Sequence, residues 1–307
     1  MTLRGGLPTE AGFVGVEGVR LVEEALQSGC PIAAVLFSET GERHRERLAP
    51  LLHPDQVAFP ILRTADRLFE GLADTEHPQG VAALVKPRVA TLDELLSATT
   101  VASAEACSPL LVVLAGVQDP GNVGTILRTA AAFGATGAIT AASGQSGTAS
   151  PFSPKALRAS AGAALHLPIL AGMSLGILLT QLKLANVHTL ASSAHVASSS
   201  GPSERGNVAK GFSLSPATAD AFRTAVHADG ATLLLPWQVD WCQPIALLVG
   251  NEGAGLPEEI ERSADARIRI PMASGIESLN AAAAAAVLFY EAARQRAAVQ
   301  SKREPAP

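Results

Sequence analysis

Three stretches of the chain set amide, carboxylate and guanidinium side chains among glycines at the ends of apolar runs. The first is Gln118-Asp119-Pro120-Gly121-Asn122-Val123-Gly124, with Arg128 four residues further on. It follows the apolar run Leu110–Ala115 and leads into a helix-like run, Val123–Phe133, ended by Gly134. Glycines allow the tight turn, and a helix start offers free N–H groups to an anion. Arg128 is expected on the first helical turns, on the side facing the loop. A plain strand-to-helix turn with a surface arginine explains the same spacing. The dinucleotide fingerprint G-x-G-x-x-G is absent here, so a nicotinamide site is not supported.

The second stretch, Gly250-Asn251-Glu252-Gly253-Ala254-Gly255-Leu256, follows the apolar run Ile245–Val249. Its glycines let a ligand approach the main chain, and Glu252 can pair with an arginine or accept from a ligand hydroxyl. Capping of a helix starting near Pro257 is an equal reading of Glu252. The third stretch is Ile270-Pro271-Met272 and then Ser278-Leu279-Asn280, just before the run Ala281–Ala286. Ser278 could serve as a simple helix cap. Asn280 is a poor interior helix residue, so its side chain is expected to be in use.

The elements that must position these residues read as two α/β units. In the first, Val16–Leu26 has helical spacing, Ile32–Phe37 is a strand, and Arg43–Leu52 is a charged helix. Thr64 could cap a helix over Ala65–Glu70, and Gly80–Val85 is a further strand. The composition changes between Pro87 and Pro109, where Thr91–Ala98 could form one helix and Thr99–Ser108 is small and polar, which suits a linker. In the second unit Leu110–Ala115, Gly137–Ala141, Leu233–Pro236 and Ile245–Val249 read as strands. Lys155–Ala161 and Ser174–Leu184 read as helices there, and Glu277 to about Gln300 is a long Ala-rich one. Strands alternating with helices predict a mainly parallel sheet covered on both faces. The expected domains are 1–88, a linker over 89–108, a larger domain over 109–300 and a tail over 301–307. A Ser- and Gly-rich insertion is expected around 191–225.

Bulk composition narrows the function. The 307 residues are 48% apolar and 17% charged, enough for a sizeable core and contrary to global disorder. The net charge of −5 weighs against a nucleic-acid partner, although a local basic face can coexist with it. Cys30, Cys107 and Cys242 are isolated, and the seven histidines show no ligand spacing, so no metal site is expected. The uncharged stretch from Ala159 to Leu182 contains Pro168 and several glycines, and no membrane span is expected from it. Cytoplasmic location is the default.

In order and content the three stretches resemble the motifs of the SpoU (TrmH-type) family of RNA 2′-O-ribose methyltransferases, of the SPOUT superfamily. Gly121, Asn122, Gly124 and Arg128 match the first motif; Gly250, Glu252 and Gly253 match the second. Ile270, Pro271, Met272, Ser278, Leu279 and Asn280 match the third. The resemblance runs from about Leu110 to Arg296, and Ser153 to Gly162 is similar to the family's middle segment. Glu17 to Ala25 and Gln79-Gly80-Val81 are similar to the L30e-like RNA-binding domain that precedes many such catalytic domains.

The resemblance implies an α/β catalytic domain with a deep trefoil knot, preceded by a small α/β/α L30e-like domain. It implies S-adenosyl-L-methionine (AdoMet) as cofactor, with Gly250, Ile270, Met272 and Leu279 as its contacts. Asn122, Arg128, Glu252, Ser278 and Asn280 become the catalytic candidates, with Arg128 beside the reacting hydroxyl. An RNA partner follows, ribosomal more readily than transfer RNA, and so does a homodimer through the C-terminal domain. Arg20, Arg43, Arg45, Arg47, Lys155 and Arg158 are candidate phosphate contacts. For Arg43 to Arg47, a solvated helix face paired with Glu42 and Glu46 is the competing reading. A non-catalytic RNA-binding protein, a transfer-RNA 2′-O-methyltransferase and a base or small-molecule methyltransferase are the rival functions.

Overall fold

A computed structural model describes residues 8–52, 59–97, 108–142, 147–192, 225–226, 232–273, 276 and 278–303. The first sheet has the order β1-β4-β2-β3, from β1 (Val14–Glu17), β2 (Ile32–Ser38), β3 (Ile61–Thr64) and β4 (Val81–Val85). β2 and β3 are parallel and the other pairings antiparallel. Helices α1 (Val19–Gln27), α2 (Arg45–Leu48) and α3 (Asp66–Leu72) complete this unit.

Three boundaries here differ from the sequence expectation. The helix expected over Val16–Leu26 gives up its start to β1, because Val16 and Glu17 pair with β4 and Gly18 turns at φ 98°. The helix expected over Arg43–Leu52 is a 3-10 turn (Thr40–His44), one α-turn, and a second 3-10 turn holding Pro50. Proline has no N–H to continue the ladder. Thr64 ends β3 opposite Ser38 instead of capping, and α3 starts at Asp66.

The second sheet has the order β7-β6-β5-β11-β8-β12-β10-β9. Its strands are β5 (Leu110–Ala115), β6 (Gly137–Ala142), β7 (Ile169–Ser174), β8 (His188–Ser192), β9 (Ala225–Val226), β10 (Thr232–Leu234), β11 (Ile245–Val249) and β12 (Ala266–Ile268). All pairings are parallel except β10 with β9. Alternation along β5 explains the layers. Leu110, Val112 and Leu114 pack with α5 (Pro120–Ala132), α6 (Pro154–Ala159), α7 (Ala163–His166) and the long C-terminal helix, α10 (Ala281–Arg303). Leu111, Val113 and Ala115 face α4 (Leu92–Ser97) and α8 (Leu175–Leu184), with Ile260 of α9 (Glu258–Ser263) on the same side. A sheet buried on both faces matches its unbroken apolar strands.

Within the expected linker, the helix suggested over Thr91–Ala98 is present as α4 (Leu92–Ser97). Leu95 of α4 is buried against the second sheet, and Val89 bridges Ile169. Residues 98–107 lie outside the described ones. So does the expected insertion around 191–225, apart from Ala191 and Ser192 in β8 and Ala225 in β9. The expected tail begins later than residue 301, since α10 runs to Arg303. Among the described residues no helix is long and apolar enough to cross a membrane.

The two sheets meet along α1, α6 and α7. Asp74 pairs with Arg158 at 2.8 Å, Glu24 with His166 at 3.0 Å, and the Cys30 thiol lies 3.5 Å from the Leu165 carbonyl.

Candidate active site

β5 and β11 are neighbours, and β12 lies one strand beyond, next to β8. The three polar segments follow the C-terminal ends of β5, β11 and β12. In parallel sheets such loops form the ligand crevice.

Each segment is shaped locally before it meets the others. Asp119 caps α5 by accepting from Gly121 N at 3.0 Å, and Pro120 stands in the first turn, where no N–H is needed. Gly124 lets α5 touch α6, since a Cβ there would stand 2.3 Å from the Ala156 carbonyl oxygen. The second segment closes on itself, with Asn251 and Gly255 exchanging main-chain hydrogen bonds at 3.0 Å. Gly250 is required by that closure, because a Cβ would lie 2.4 Å from the Gly255 carbonyl carbon. Asn280, rather than Ser278, caps α10, accepting from Ala282 N at 2.8 Å.

Glu252 joins the first two segments. Its carboxylate accepts from Gln118 N and Asp119 N, each at 3.1 Å, and from Asn122 Nδ2 at 3.0 Å. It does not cap the helix beginning after Pro257. Asn280 Nδ2 donates to Asn122 Oδ1 at 3.2 Å and brings in the third segment. Burial works against the charge on Glu252, but the hydrogen bonds from Asn122 and from the main chain at Gln118, Glu252 and Asp119 outweigh it. They hold the carboxyl below its usual range.

Arg128 stands outside this relay. It is exposed on α5, six residues beyond Asn122 or about 9 Å along the axis. Its guanidinium makes no hydrogen bond or ion pair with a described residue. Helical side chains lean toward the N-terminus, so Arg128 can reach back toward the loop. Gly250 is buried at the mouth, Ile270 and Met272 are half-buried after β12, and Ser278 and Leu279 are exposed.

The basic residues divide. Lys155 Nζ donates to Asp119 Oδ1 at 2.6 Å, and this hydrogen bond, followed by that from Gly121 N, holds the Asp119 carboxyl below its usual range. Arg158 is paired with Asp74, away from the mouth. Arg20 is exposed and has no partner among the described residues. Arg43 Nε donates to His44 Nε2 at 3.0 Å. Glu42 pairs with Arg45 and Arg63, and Glu23 with Arg47, so the partners of this cluster are not Glu42 and Glu46 alone.

Sequence reasoning missed Asp119 and Asn251 as site builders. Asn251 Nδ2 donates to the Gly116 carbonyl at 2.9 Å, and its Oδ1 accepts from Gly253 N and Ala254 N at 2.9 Å. An Asn in a glycine-rich turn, and an Asp directly before a Pro-Gly helix start, were the available signals. Among the described residues no three His, Cys, Asp or Glu side chains gather as for a metal ion.

Comparison with known proteins agrees with this geometry. The model described as the SpoU rRNA Methylase family matches residues 109–290, and the one described as the MRM3-like substrate binding domain matches residues 9–83. An uncharacterized tRNA/rRNA methyltransferase of Synechocystis is 30% identical over 94% of this chain and 86% of its own. A 23S rRNA (uridine(2479)-2′-O)-methyltransferase of Streptomyces viridochromogenes is 29% identical over 94% of this chain and 85% of its own. The crystal structure of the SpoU methyltransferase AviRb from Streptomyces viridochromogenes, in complex with the cofactor AdoMet, has a TM-score of 0.67. It is 26% identical and covers 94% of this chain and 92% of its own. With one motif-bearing loop after each of β5, β11 and β12, and a family match over more than half its length, the chain belongs to the SpoU rRNA methylase family.

Proposed function

We propose that this chain transfers a methyl group from AdoMet to a ribose 2′-hydroxyl of a structured RNA, and that this RNA is ribosomal. The observation that carries the reading is the relay Glu252–Asn122–Asn280, which ties all three segments into one mouth. The donor set suits AdoMet. The self-closed loop at Gly250 offers main-chain groups without side-chain bulk, and Ile270, Met272 and Leu279 offer apolar surface for a nucleoside.

When bound, AdoMet supplies an electrophilic methyl group on a sulfonium, which leaves as a neutral thioether. Glu252 and Asn280 hold Asn122 in one orientation, so its carboxamide is preorganised. A guanidinium is a poor base, so Arg128 acts electrostatically, stabilising negative charge on the 2′-oxygen as that oxygen passes its proton to a phosphate of the RNA substrate or to water. Ser278, exposed before the α10 cap, contacts the acceptor nucleotide. Fixing the hydroxyl in line with the carbon–sulfur bond supplies much of the rate.

The same proposal includes a homodimer through the C-terminal domain, a trefoil knot formed by the loops after β11 and β12, and action in the cytoplasm. Exposed Val287 and Tyr290 on α10 support the dimer. Insertion of β11 between β5 and β8 supports the knot.

The test is transfer of tritium from labelled AdoMet into in vitro-transcribed ribosomal RNA, with transfer RNA as the second arm. Alkaline digestion follows, because a 2′-O-methyl group blocks cleavage at its 3′ phosphate and a base methyl does not. Incorporation that leaves the backbone fully cleavable defeats the proposal. Tight RNA binding without incorporation into either RNA favours a non-catalytic binder.

A further inference from the structure

Helix α6 is six residues long, yet it touches both halves of the molecule. At its start Lys155 Nζ holds Asp119, the cap of α5. At its end Arg158 Nη2 lies 2.8 Å from Asp74 Oδ2, in the substrate-binding domain. Between them, the close approach of Gly124 to the Ala156 carbonyl locks α6 against the helix that carries Asn122 and Arg128.

Asp74 is equally well fixed. Its main-chain N–H donates to Glu17 Oε2 at 2.7 Å, and Thr75 Oγ1 donates to the other carboxylate oxygen. Glu17 is buried at the end of β1. Next to this contact, the Cβ of Glu24 lies close over Gly162 (an added Cβ would be 2.6 Å away), and its carboxylate meets His166. The seam therefore has a polar contact at each end and little slack between.

We propose that the Asp74–Arg158 pair is a positioning contact. It fixes the substrate-binding domain relative to the Asn122–Glu252–Asn280 mouth, so that an RNA held on the first presents one ribose to the second. This rests on the RNA-methyltransferase reading above. It also reassigns Arg158, which the sequence suggested as a phosphate contact. A guanidinium already paired with a carboxylate has little charge left to offer a phosphate.

Charge reversal separates the two roles. Arg158→Asp and Asp74→Arg each set like charges face to face. Each raises KM for in vitro-transcribed large-subunit ribosomal RNA by about tenfold, with kcat within about twofold. A short oligonucleotide centred on the mapped nucleotide shows no such rise, since it does not span both domains. The double variant Asp74→Arg/Arg158→Asp restores KM to within about twofold of the parent. If Asp74→Arg leaves KM unchanged or lowers it, Arg158 is a phosphate contact and the proposal fails.

A second arm needs no RNA. Spin labels on Leu68→Cys and Ile177→Cys, both exposed positions, report the distance between the domains in a background with Cys107 and Cys242 replaced by serine. The distance distribution broadens in each single reversal and narrows again in the double variant. An unchanged distribution overturns the positioning role. An enzyme inactive on every RNA would sink the methyltransferase reading while leaving this arm intact.

Discussion

Glu252 is exposed at the surface, yet both of its carboxylate oxygens accept hydrogen bonds from the first motif-bearing loop. Glu252→Gln keeps the shape but turns one acceptor into a donor facing main-chain N–H groups. We expect kcat to fall by about ten- to a hundredfold, measured by tritium transfer. Arg128→Ala should abolish transfer and leave AdoMet affinity within a few-fold by calorimetry; retained turnover would reduce Arg128 to a surface residue. The pH response has a definite sign. The Glu252 carboxyl lies below its ordinary value in the folded protein, so its charge stabilises the mouth above the unfolded carboxylate pKa. That contribution is lost as pH falls through the folded value. AdoMet affinity should hold through the ordinary carboxylate range and drop only below it, and the drop should be absent in Glu252→Gln. Asn122, Glu252 and Asn280 were legible as candidates from residue type, the first two beside glycines after a strand and the third as a poor interior helix residue, while their roles came only with the family resemblance. Their mutual bonding was not, because it spans 130 and 158 residues of chain. Asp119 and Asn251 escaped notice because their partners are mostly main-chain groups, which a sequence does not display.

At the next scale up, the fit of α5 on α6 sets the mouth. Gly124→Ala would push a methyl group into the Ala156 carbonyl, a main-chain atom that cannot swing aside. We expect a loss of about 1–3 kcal/mol, read from urea unfolding, together with weaker transfer. Gly121→Ala is the contrasting variant, since a Cβ there meets nothing nearer than 3.2 Å. It should unfold close to the parent. β5 and β11 were legible to the residue because both are unbroken apolar runs with a proline before and a glycine after. β3, β8 and β12 were not. Each is three to five residues long and carries Arg63, His188 or Arg267 within it. Only pairing with neighbours already in the sheet makes such segments extended. The charged helix expected over Arg43–Leu52 failed for the opposite reason, as local spacing promised more than Pro50 allows.

Over the whole molecule, α10 is the element with most left to cover. Its inner face is buried through Ala285, Leu288, Phe289 and Ala292, while Val287 and Tyr290 remain exposed, Tyr290 edge-on to Phe133 at 5.8 Å between ring centres. Tyr290→Lys should convert a dimer to a monomer in light scattering and lower transfer with it. A parent protein that is monomeric at working concentration would remove that part of the proposal. The two-unit layout and the parallel sheet were legible from alternating patterns, but the seam between the units was not, since Asp74 and Arg158 are ordinary surface residues in a sequence. The sheet order has one more consequence. β11 enters between β5 and β8, both of which precede it in the chain. The second sheet therefore stays open between β5 and β8 until β11 has left the ribosome, and Glu252 and Asn280 follow only after it. A chain cut short after β8 would lack the strand that joins the two halves of its second sheet, together with Glu252 and Asn280, and so could not assemble the mouth.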